Sequence, residues 1–193
     1  MRSEKRSKKI DFVVRSRQHS LQAVLENIHD PHNVSAIFRT CDAAGIPSVS
    51  LIYNYEKFPR IGKKSSASAY KWVEKNKYKS VEECYSTLKK AGFTIIASSI
   101  SDDSVDLYEI DFTKKTAFVL GNEHRGVSEE AASMADCLFQ IPMFGMVQSL
   151  NVSVAAAITF YEALRQRKSA GMFPSKDLAQ KDLKKNIDEW LKK

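Results

Sequence analysis

The sequence contains little cysteine, glycine or proline. Its 193 residues include 3 Cys, 7 Gly and 5 Pro, while 43% of the residues are hydrophobic. Cys41, Cys84 and Cys137 are far apart and form no Cys-x-x-Cys pair, so neither a disulfide framework nor a zinc cluster is indicated. This composition excludes a collagen-like, low-complexity or disordered chain and leaves enough apolar residues for a substantial core.

The sequence also has no long apolar run. The best candidate, Val152 to Tyr161, is interrupted by Ser153 and Thr159 and falls far short of the roughly 20 residues that a membrane-spanning helix needs. The charged N-terminus is not followed by the apolar core of a signal peptide. We therefore expect a soluble protein of the reducing cytoplasm, with no membrane partner.

The excess positive charge lies at the two ends of the chain. Residues 1–17 contain seven basic and two acidic side chains, and residues 165–193 contain nine and four, whereas residues 18–164 contain 14 and 17. Basic ends can keep a protein soluble, or they can bind a polyanion such as nucleic acid through its phosphates. Charge alone leaves both interpretations open.

Short apolar segments alternate with segments of helical spacing. Residues 54–79 interrupt this alternation, and we expect a long irregular segment there, with a Ser/Ala-rich portion from Ser65 to Ala69 and at most a short strand near Trp72. We expect an α/β domain with a mostly parallel sheet and helical, basic ends. The predicted strands are 21–28, 49–53, 93–97, 117–120 and 137–141, and the predicted helices are 32–44, 81–91, 128–135, 149–167 and a terminal helix that carries Leu183, Ile187, Trp190 and Leu191 on one face. The 32–44 helix should end at Gly45, and the 149–167 helix is nearly apolar all round, which predicts burial.

Several familiar motifs are excluded. Gly121 and Gly126 have the spacing of a phosphate-binding loop, but Val127 and Ser128 follow where Lys and Ser/Thr are required, and no Gly-x-Gly-x-x-Gly follows a predicted strand. The four histidines have no metal-ligand spacing, so no metal site is predicted.

Three polar segments that contain glycine adjoin the predicted apolar elements, at residues 27–45, 118–130 and 141–157. Ligands of open α/β sheets bind beyond the carboxyl ends of the strands, so these segments predict a ligand site. Simpler roles remain open, because Asn33 can cap its helix, Glu123 can be an ordinary loop carboxylate and Asn151 can bond within the first turn of its helix. Arg39 lies in an otherwise apolar helical stretch, where an arginine needs a partner.

The three segments resemble the signature motifs of the SPOUT methyltransferases, specifically the TrmH family of tRNA ribose 2′-O-methyltransferases. They read Asn-x5-Arg-x5-Gly from Asn33, Leu-Gly-Asn-Glu-x-x-Gly-Val from Leu120, and Ile-Pro-Met-x-Gly-x-x-Gln-Ser-Leu-Asn-Val-Ser-Val-Ala from Ile141. The resemblance covers about residues 18 to 167. It implies a methyltransferase domain over 18–167, between a basic N-terminal extension (1–17) and a basic C-terminal helical extension (168–193).

The resemblance also implies a SPOUT fold with a C-terminal deep trefoil knot, S-adenosylmethionine as cofactor and a homodimer with the active site at its interface. The residues implied to bind the cofactor are Ser98, Leu120, Gly121, Ile141, Met143 and Leu150. Arg39 is implied as the central catalytic residue, supported by Asn33, Glu123, Ser149 and Asn151. In the basic extensions and the adjoining end of the domain, the residues predicted to bind RNA are Lys9, Arg15, Arg17, Arg165, Arg167 and Lys168.

Within that family the short chain and basic ends are most similar to enzymes that methylate guanosine 18 in the tRNA D-loop. Alternatives are the same reaction on ribosomal RNA or at another tRNA ribose, and a catalytically silent RNA-binding protein. For the reaction, our hypothesis is that Arg39 stays cationic, pairs with an RNA phosphate and orients the ribose, while the phosphate or a water accepts the hydroxyl proton.

Overall fold

A parallel sheet of seven strands forms the framework of the computed structural model, which describes residues 4–60 and 69–192. The strands are β1 (Leu21–Glu26), β2 (Ser48–Ile52), β3 (Glu74–Tyr78), β4 (Thr94–Ser98), β5 (Val105–Asp106), β6 (Thr116–Leu120) and β7 (Cys137–Gln140). Their order across the sheet is β3-β2-β1-β6-β4-β7-β5, and every neighbouring pair is parallel. The predicted α/β fold with a mostly parallel sheet is confirmed.

Helices connect the strands and cover both faces of the sheet. They are α1 (Glu4–Ser16), α2 (Pro31–Ala44), α3 (Ala69–Trp72), α4 (Val81–Lys90), α5 (Glu129–Met134), α6 (Val152–Ser169) and α7 (Gln180–Lys192), with a single 3₁₀ turn at Leu107–Glu109. The predicted end of α2 is confirmed, because Gly45 has a φ of 81°, a left-handed conformation that glycine adopts without steric cost.

Two apolar cores lie on opposite faces of the sheet. One includes Ile37 and Phe38 of α2 and Phe160 of α6, and the other includes Tyr85 of α4 and Ala131 of α5. Every residue of β1 and β6 is buried, as expected for central strands of a sheet covered on both sides.

The segment between β2 and α4 contains the short strand that is expected near Trp72. Trp72 itself ends α3, and β3 begins two residues later and pairs with β2 along its whole length. The β3 sequence, Glu-Lys-Asn-Lys-Tyr, has no apolar alternation, so backbone pairing with β2 and not side-chain pattern defines this strand. The Ser65 to Ala69 stretch lies outside the described residues except for Ala69.

The two chain ends pack against each other. Ile10 and Val14 of α1 form a third small core with Leu183 of α7, and Ile187, Trp190 and Leu191 pack around it, which confirms the predicted apolar face of the terminal helix. The indole of Trp190 lies 4.8 Å from that of Trp72, between ring centroids, so this helical pair contacts the body of the protein. The position between 167 and 168, predicted as a boundary, lies inside α6.

Two predicted RNA-binding residues are buried, so the prediction that they contact RNA is wrong. Arg17 is 2% exposed and pairs with Asp42. Arg167 is fully buried and donates to the carbonyls of Phe112 and Lys114 at 2.8 Å and to the Ser20 hydroxyl at 2.7 Å. Sequence could not separate these arginines from surface ones, because a buried guanidinium satisfied by backbone carbonyls carries no local pattern.

No helix within residues 4–60 and 69–192 is long and apolar enough to cross a membrane. The same ranges hold no cluster of three or more side chains that could bind a metal ion. The three cysteines are free thiols.

Candidate active site

A cavity of about 570 Å³ opens at the carboxyl ends of β4, β6 and β7. Its volume is typical of a small-molecule site. The residues that the sequence assigned to cofactor binding all line this cavity, namely Ser98, Leu120, Gly121, Ile141, Met143 and Leu150. The structure therefore brings together groups that are up to 52 residues apart in the chain.

The lining suits S-adenosylmethionine. Leu120, Ile141 and Leu150 supply apolar walls of the kind that an adenine ring needs, and Ser98 and Ser149 supply hydroxyl groups for polar parts of a ligand. Glu123 adds a carboxylate to the same lining, so the cavity offers both apolar and polar groups to a nucleoside with a charged amino-acid tail.

Gly121 begins a tight loop on one side of the cavity. A Cβ atom on Gly121 would lie 2.1 to 2.2 Å from backbone atoms of Gly126 and Val127, so no larger residue fits. Asn122 and Gly126 close the loop as an antiparallel bridge, with both N–H···O distances at 2.8 Å. The glycine at 121 is required for this close backbone approach.

Asn122 organises the loop, and sequence analysis gave it no role. Its Nδ2 donates to the carbonyl of Asn27 at 2.8 Å, and its Oδ1 accepts from the amides of His124 and Arg125 at 3.0 and 3.3 Å. An asparagine that bonds to the backbone two residues on is typical of a turn. Its position four residues before Gly126 is the sequence signal that could have identified it.

Glu123 fixes the start of α2. Its carboxylate accepts from the amides of His29 and Asp30, each at 3.0 Å, and from Nδ2 of Asn33 at 2.9 Å. Burial disfavours the charged form, but these hydrogen bonds outweigh it and hold the pKa of Glu123 below its usual range. Glu123 is therefore a specific link between two of the three segments, and not an ordinary loop carboxylate.

Asn33 connects that link to the third segment. Its Oδ1 accepts from Nδ2 of Asn151 at 3.0 Å. The alternative that Asn33 caps α2 is wrong, because Asp30 is the cap and accepts from the amide of His32. Asn151 caps α6 by accepting from the amide of Ser153 at 2.8 Å, so it bonds within its own helix and also across to Asn33.

Arg39 lies apart from this network. It is exposed on α2, six residues and about 9 Å along the helix from Asn33, and the cavity lining of its own chain does not include it. The apolar residues of the same helical stretch, Val34, Ile37 and Phe38, face the core, while Arg39 faces outward. Ser149, in contrast, lines the cavity directly.

The other predicted RNA-binding residues lie at the surface. Arg15 pairs with Asp11 at 2.9 Å and Arg165 with Glu162 at 2.8 Å, each within its own helix. Lys9 and Lys168 are exposed.

The Asn33→Asp substitution should lower the free energy of unfolding, and the loss should be largest near neutral pH. The substitution replaces a donor to Glu123 with a second negative charge, and we expect a loss of about 2–3 kcal/mol at pH 7. Because the wild-type pKa of Glu123 is lowered, its contribution to stability is complete above about pH 4.5 and is lost as the pH falls through that lowered value. The deficit of the variant should therefore shrink as the pH approaches 4, where one carboxyl gains a proton.

Urea unfolding at pH 7 and pH 4 measures this difference. Asn33→Ala is the uncharged control: it removes the donation to Glu123 and also the bond from Asn151, but it adds no charge, so its deficit should change far less over that interval. Equal pH dependence for the two variants would contradict the assignment of Asn33 as donor to an ionised Glu123.

Comparisons with known proteins agree with this geometry. The tRNA (guanosine(18)-2'-O)-methyltransferase of Thermus thermophilus is 44% identical over 192 residues, covering 100% of this chain and 98% of that protein. The crystal structure of the Aquifex aeolicus TrmH/SpoU tRNA modifying enzyme matches with a TM-score of 0.90 and 40% identity, covering 97% of this chain and 95% of that one.

A third match has a ligand bound. The SpoU methyltransferase AviRb from Streptomyces viridochromogenes, in complex with the cofactor AdoMet, matches with a TM-score of 0.68 and 27% identity, covering 79% of this chain and 60% of that one. Residues 20–161 match the SpoU rRNA Methylase family. With the cavity, the three linked segments and a full-length relative in agreement, the chain belongs to the SpoU methylase family.

Proposed function

We propose that this protein uses S-adenosylmethionine to methylate the ribose 2′-hydroxyl of guanosine 18 in tRNA. One observation carries the proposal: the Glu123–Asn33–Asn151 network joins all three motif segments beside a cofactor-sized cavity. This arrangement occurs in a chain that aligns over its full length with a relative named for that reaction.

The cofactor supplies a methyl group on a sulfonium centre, which a hydroxyl oxygen can attack. Leu120, Ile141 and Leu150 would hold its apolar part, while Ser98 and the loop that begins at Gly121 offer hydrogen-bonding groups. Asn33 and Glu123 act as positioning residues, because their hydrogen bonds hold the start of α2 against the loop that lines the cavity.

Arg39 is the residue proposed to act on the RNA. A guanidinium keeps its proton in proteins and offers five donors in a planar fork, which suits a phosphate far better than a role as base. In this proposal it binds a phosphate next to the target ribose, orients the hydroxyl and stabilises negative charge that develops there. The phosphate or a water accepts the proton.

We also propose that two copies of the chain form a dimer with the active site at its interface. Exposed apolar side chains support this: Phe144 and Met146 are each 99% exposed, and on α6 Val154 is 46% and Tyr161 is 49% exposed. The predicted burial of α6 on all sides is therefore wrong for a single chain, because α2 and the sheet cover one side of it. A second copy would cover the open side and could bring Arg39 to a cavity that its own chain does not reach.

Family membership further supports a trefoil knot in the C-terminal part of the domain. The strand order is consistent with it, since β6 inserts between β1 and β4, and β7 inserts between β4 and β5.

A methylation assay on defined RNA tests the proposed function. Purified protein is mixed with unmodified tRNA transcript and methyl-labelled S-adenosylmethionine, and the labelled nucleotide is mapped. We expect 2′-O-methylguanosine at position 18 and no label when that position is adenosine. Methylation of ribosomal RNA instead, or S-adenosylmethionine binding too weak for calorimetry with and without RNA, would favour the alternative substrate or the silent binding protein.

The terminal helices should bind the tRNA through exposed lysines. Lys5 and Lys9 of α1 and Lys184 and Lys185 of α7 are exposed on the helical pair. Replacing all four with Ala should weaken tRNA binding and lower the slope of log K against log salt by about one for each phosphate that is no longer neutralised. Binding measured between 50 and 200 mM salt gives the slope. Lys114→Ala is the control, since Lys114 lies outside the terminal helices and near Asp111. An unchanged slope would refute this assignment.

A further inference from the structure

A third basic region lies within the body of the protein, although the body has a net negative charge. Residues 57–79 contain eight Lys and Arg but one acidic residue, Glu74. Six of these basic residues fall within the described ranges, and all are exposed: Lys57, Arg60, Lys71, Lys75, Lys77 and Lys79. The overall charge of residues 18–164 conceals this local excess, because the acidic residues lie elsewhere.

Two of these lysines project from the edge strand of the sheet. β3 has β2 as its neighbour on one side and is the last strand on the other. Because side chains alternate along a strand, Lys75 and Lys77 share one face, while Glu74 lies on the other. Their attachment points are about 7 Å apart, close to the separation of successive phosphates along a nucleic-acid strand.

Aromatic rings hold these two ammonium groups in place. Nζ of Lys75 lies 3.8 Å from the ring centroid of Tyr70 and donates to the Tyr70 carbonyl at 2.8 Å, and Nζ of Lys77 lies 5.9 Å from the ring of Phe58. The rings are themselves fixed, Tyr70 against Phe38 at 5.0 Å and Phe58 against Tyr53 at 5.1 Å. Cation–π contact therefore limits the motion of both lysines on the surface.

This region is continuous with the terminal helices. Lys71 lies over the ring of Trp72 at 5.0 Å, and Trp72 contacts Trp190 of α7. The Trp72–Trp190 contact thus joins the segment that precedes β3 to α7. We call Lys71, Lys75 and Lys77, with the rings of Phe58, Tyr70 and Trp72, the β3-edge surface.

We propose that the β3-edge surface binds the phosphate backbone of the RNA substrate and extends the contact made by the terminal helices. Positive charge at phosphate spacing, held on half-buried aromatic rings, matches a nucleic-acid strand. The inference rests on the proposed function, since it assigns a surface for the same tRNA. The competing explanation is that lysines on an edge strand simply prevent pairing with another sheet.

Reversing both charges separates the two explanations. Lys75→Glu with Lys77→Glu keeps the edge charged, so it preserves protection of the edge, but it repels phosphates. We expect tRNA affinity to fall at least about tenfold at 100 mM salt and the salt slope to decrease by about two. Affinity for S-adenosylmethionine and turnover at saturating tRNA should stay near wild type, because neither lysine lines the cavity.

Lys114→Glu, a charge reversal at the amino end of β6, is the matched control and should leave tRNA affinity within about twofold. Unchanged tRNA affinity of the double Glu variant, while wild-type protein still methylates tRNA, would overturn the β3-edge surface alone. Failure of the wild type to bind or methylate tRNA would instead overturn the proposed function.

A second, milder variant tests the proposal if the double Glu variant does not fold. Lys75→Gln with Lys77→Gln removes charge without adding repulsion, and we expect an intermediate loss of tRNA affinity. Association of the Gln variant beyond the oligomeric state of the wild type in analytical ultracentrifugation, with tRNA affinity intact, would assign these lysines to edge protection and overturn the proposal.

Discussion

Gly121→Ala is expected to abolish measurable binding of S-adenosylmethionine. The added Cβ would lie 2.1 Å from the backbone carbonyl carbon of Gly126, so the loop must open and its two 2.8 Å hydrogen bonds between residues 122 and 126 must break. Strain of about 3 kcal/mol or more follows from such overpacking. If all of that strain appears as lost affinity, the dissociation constant rises at least about 100-fold. Calorimetry with S-adenosylmethionine measures this change.

Gly126→Ala is the informative control, because it adds the same atom on the other side of the same loop, where Gly126 pairs with Asn122. A Cβ there meets nothing within 4 Å, but the φ of +69° is unfavourable for alanine, at a cost of about 1–2 kcal/mol. We expect a smaller loss of affinity than for Gly121→Ala. The reverse order would mean that backbone strain, and not close approach, determines the shape of this loop.

Arg39→Ala should reduce turnover by about 10²- to 10³-fold, the loss typical of removing one group that stabilises developing charge. Cofactor affinity and stability should change little, because Arg39 is exposed and lies outside the cavity lining. Single-turnover methylation at saturating tRNA measures the effect, and calorimetry with S-adenosylmethionine supplies the readout that should not move.

Arg39→Lys distinguishes the roles proposed for this residue. A lysine keeps the charge but loses the planar fork, so we expect most of the activity to be lost. Near-normal turnover of the Lys variant would show that the fork is unnecessary. A wild-type rate that keeps rising steeply above pH 9 would identify the guanidinium as the base and contradict a permanently cationic role.

Local signals in the sequence predicted much of the fold, and resemblance to a family predicted which residues line the cavity. The end of α2 at Gly45 and the apolar face around Leu183 depend on neighbouring residues, and both are confirmed. The six residues that resemblance to a family assigned to cofactor binding line one cavity, because parallel strands place their carboxyl ends at the same end of the sheet.

Features that depend on partners distant in the chain were not predictable. A short strand is expected near Trp72, but the bounds of β3 follow from its pairing with β2 and not from its polar sequence. The charge of Arg167 suggested RNA, yet its partners are carbonyls more than 50 residues away. Asn33 is a good capping residue by type, but Asp30 takes that position, which leaves the Asn33 amide available to join Glu123 and Asn151.

Helix α6 is anchored at both of its ends by hydrogen bonds to other elements of the domain. At one end Asn151 bonds to Asn33 beside the cavity, and at the other end Arg167 donates to groups that precede β1 and β6. A rigid movement of α6 would break the buried hydrogen bonds of Arg167, whereas the 142–150 segment before it is largely exposed. Helix α6 is therefore a fixed support that holds Asn151, and through it Asn33, beside the cavity.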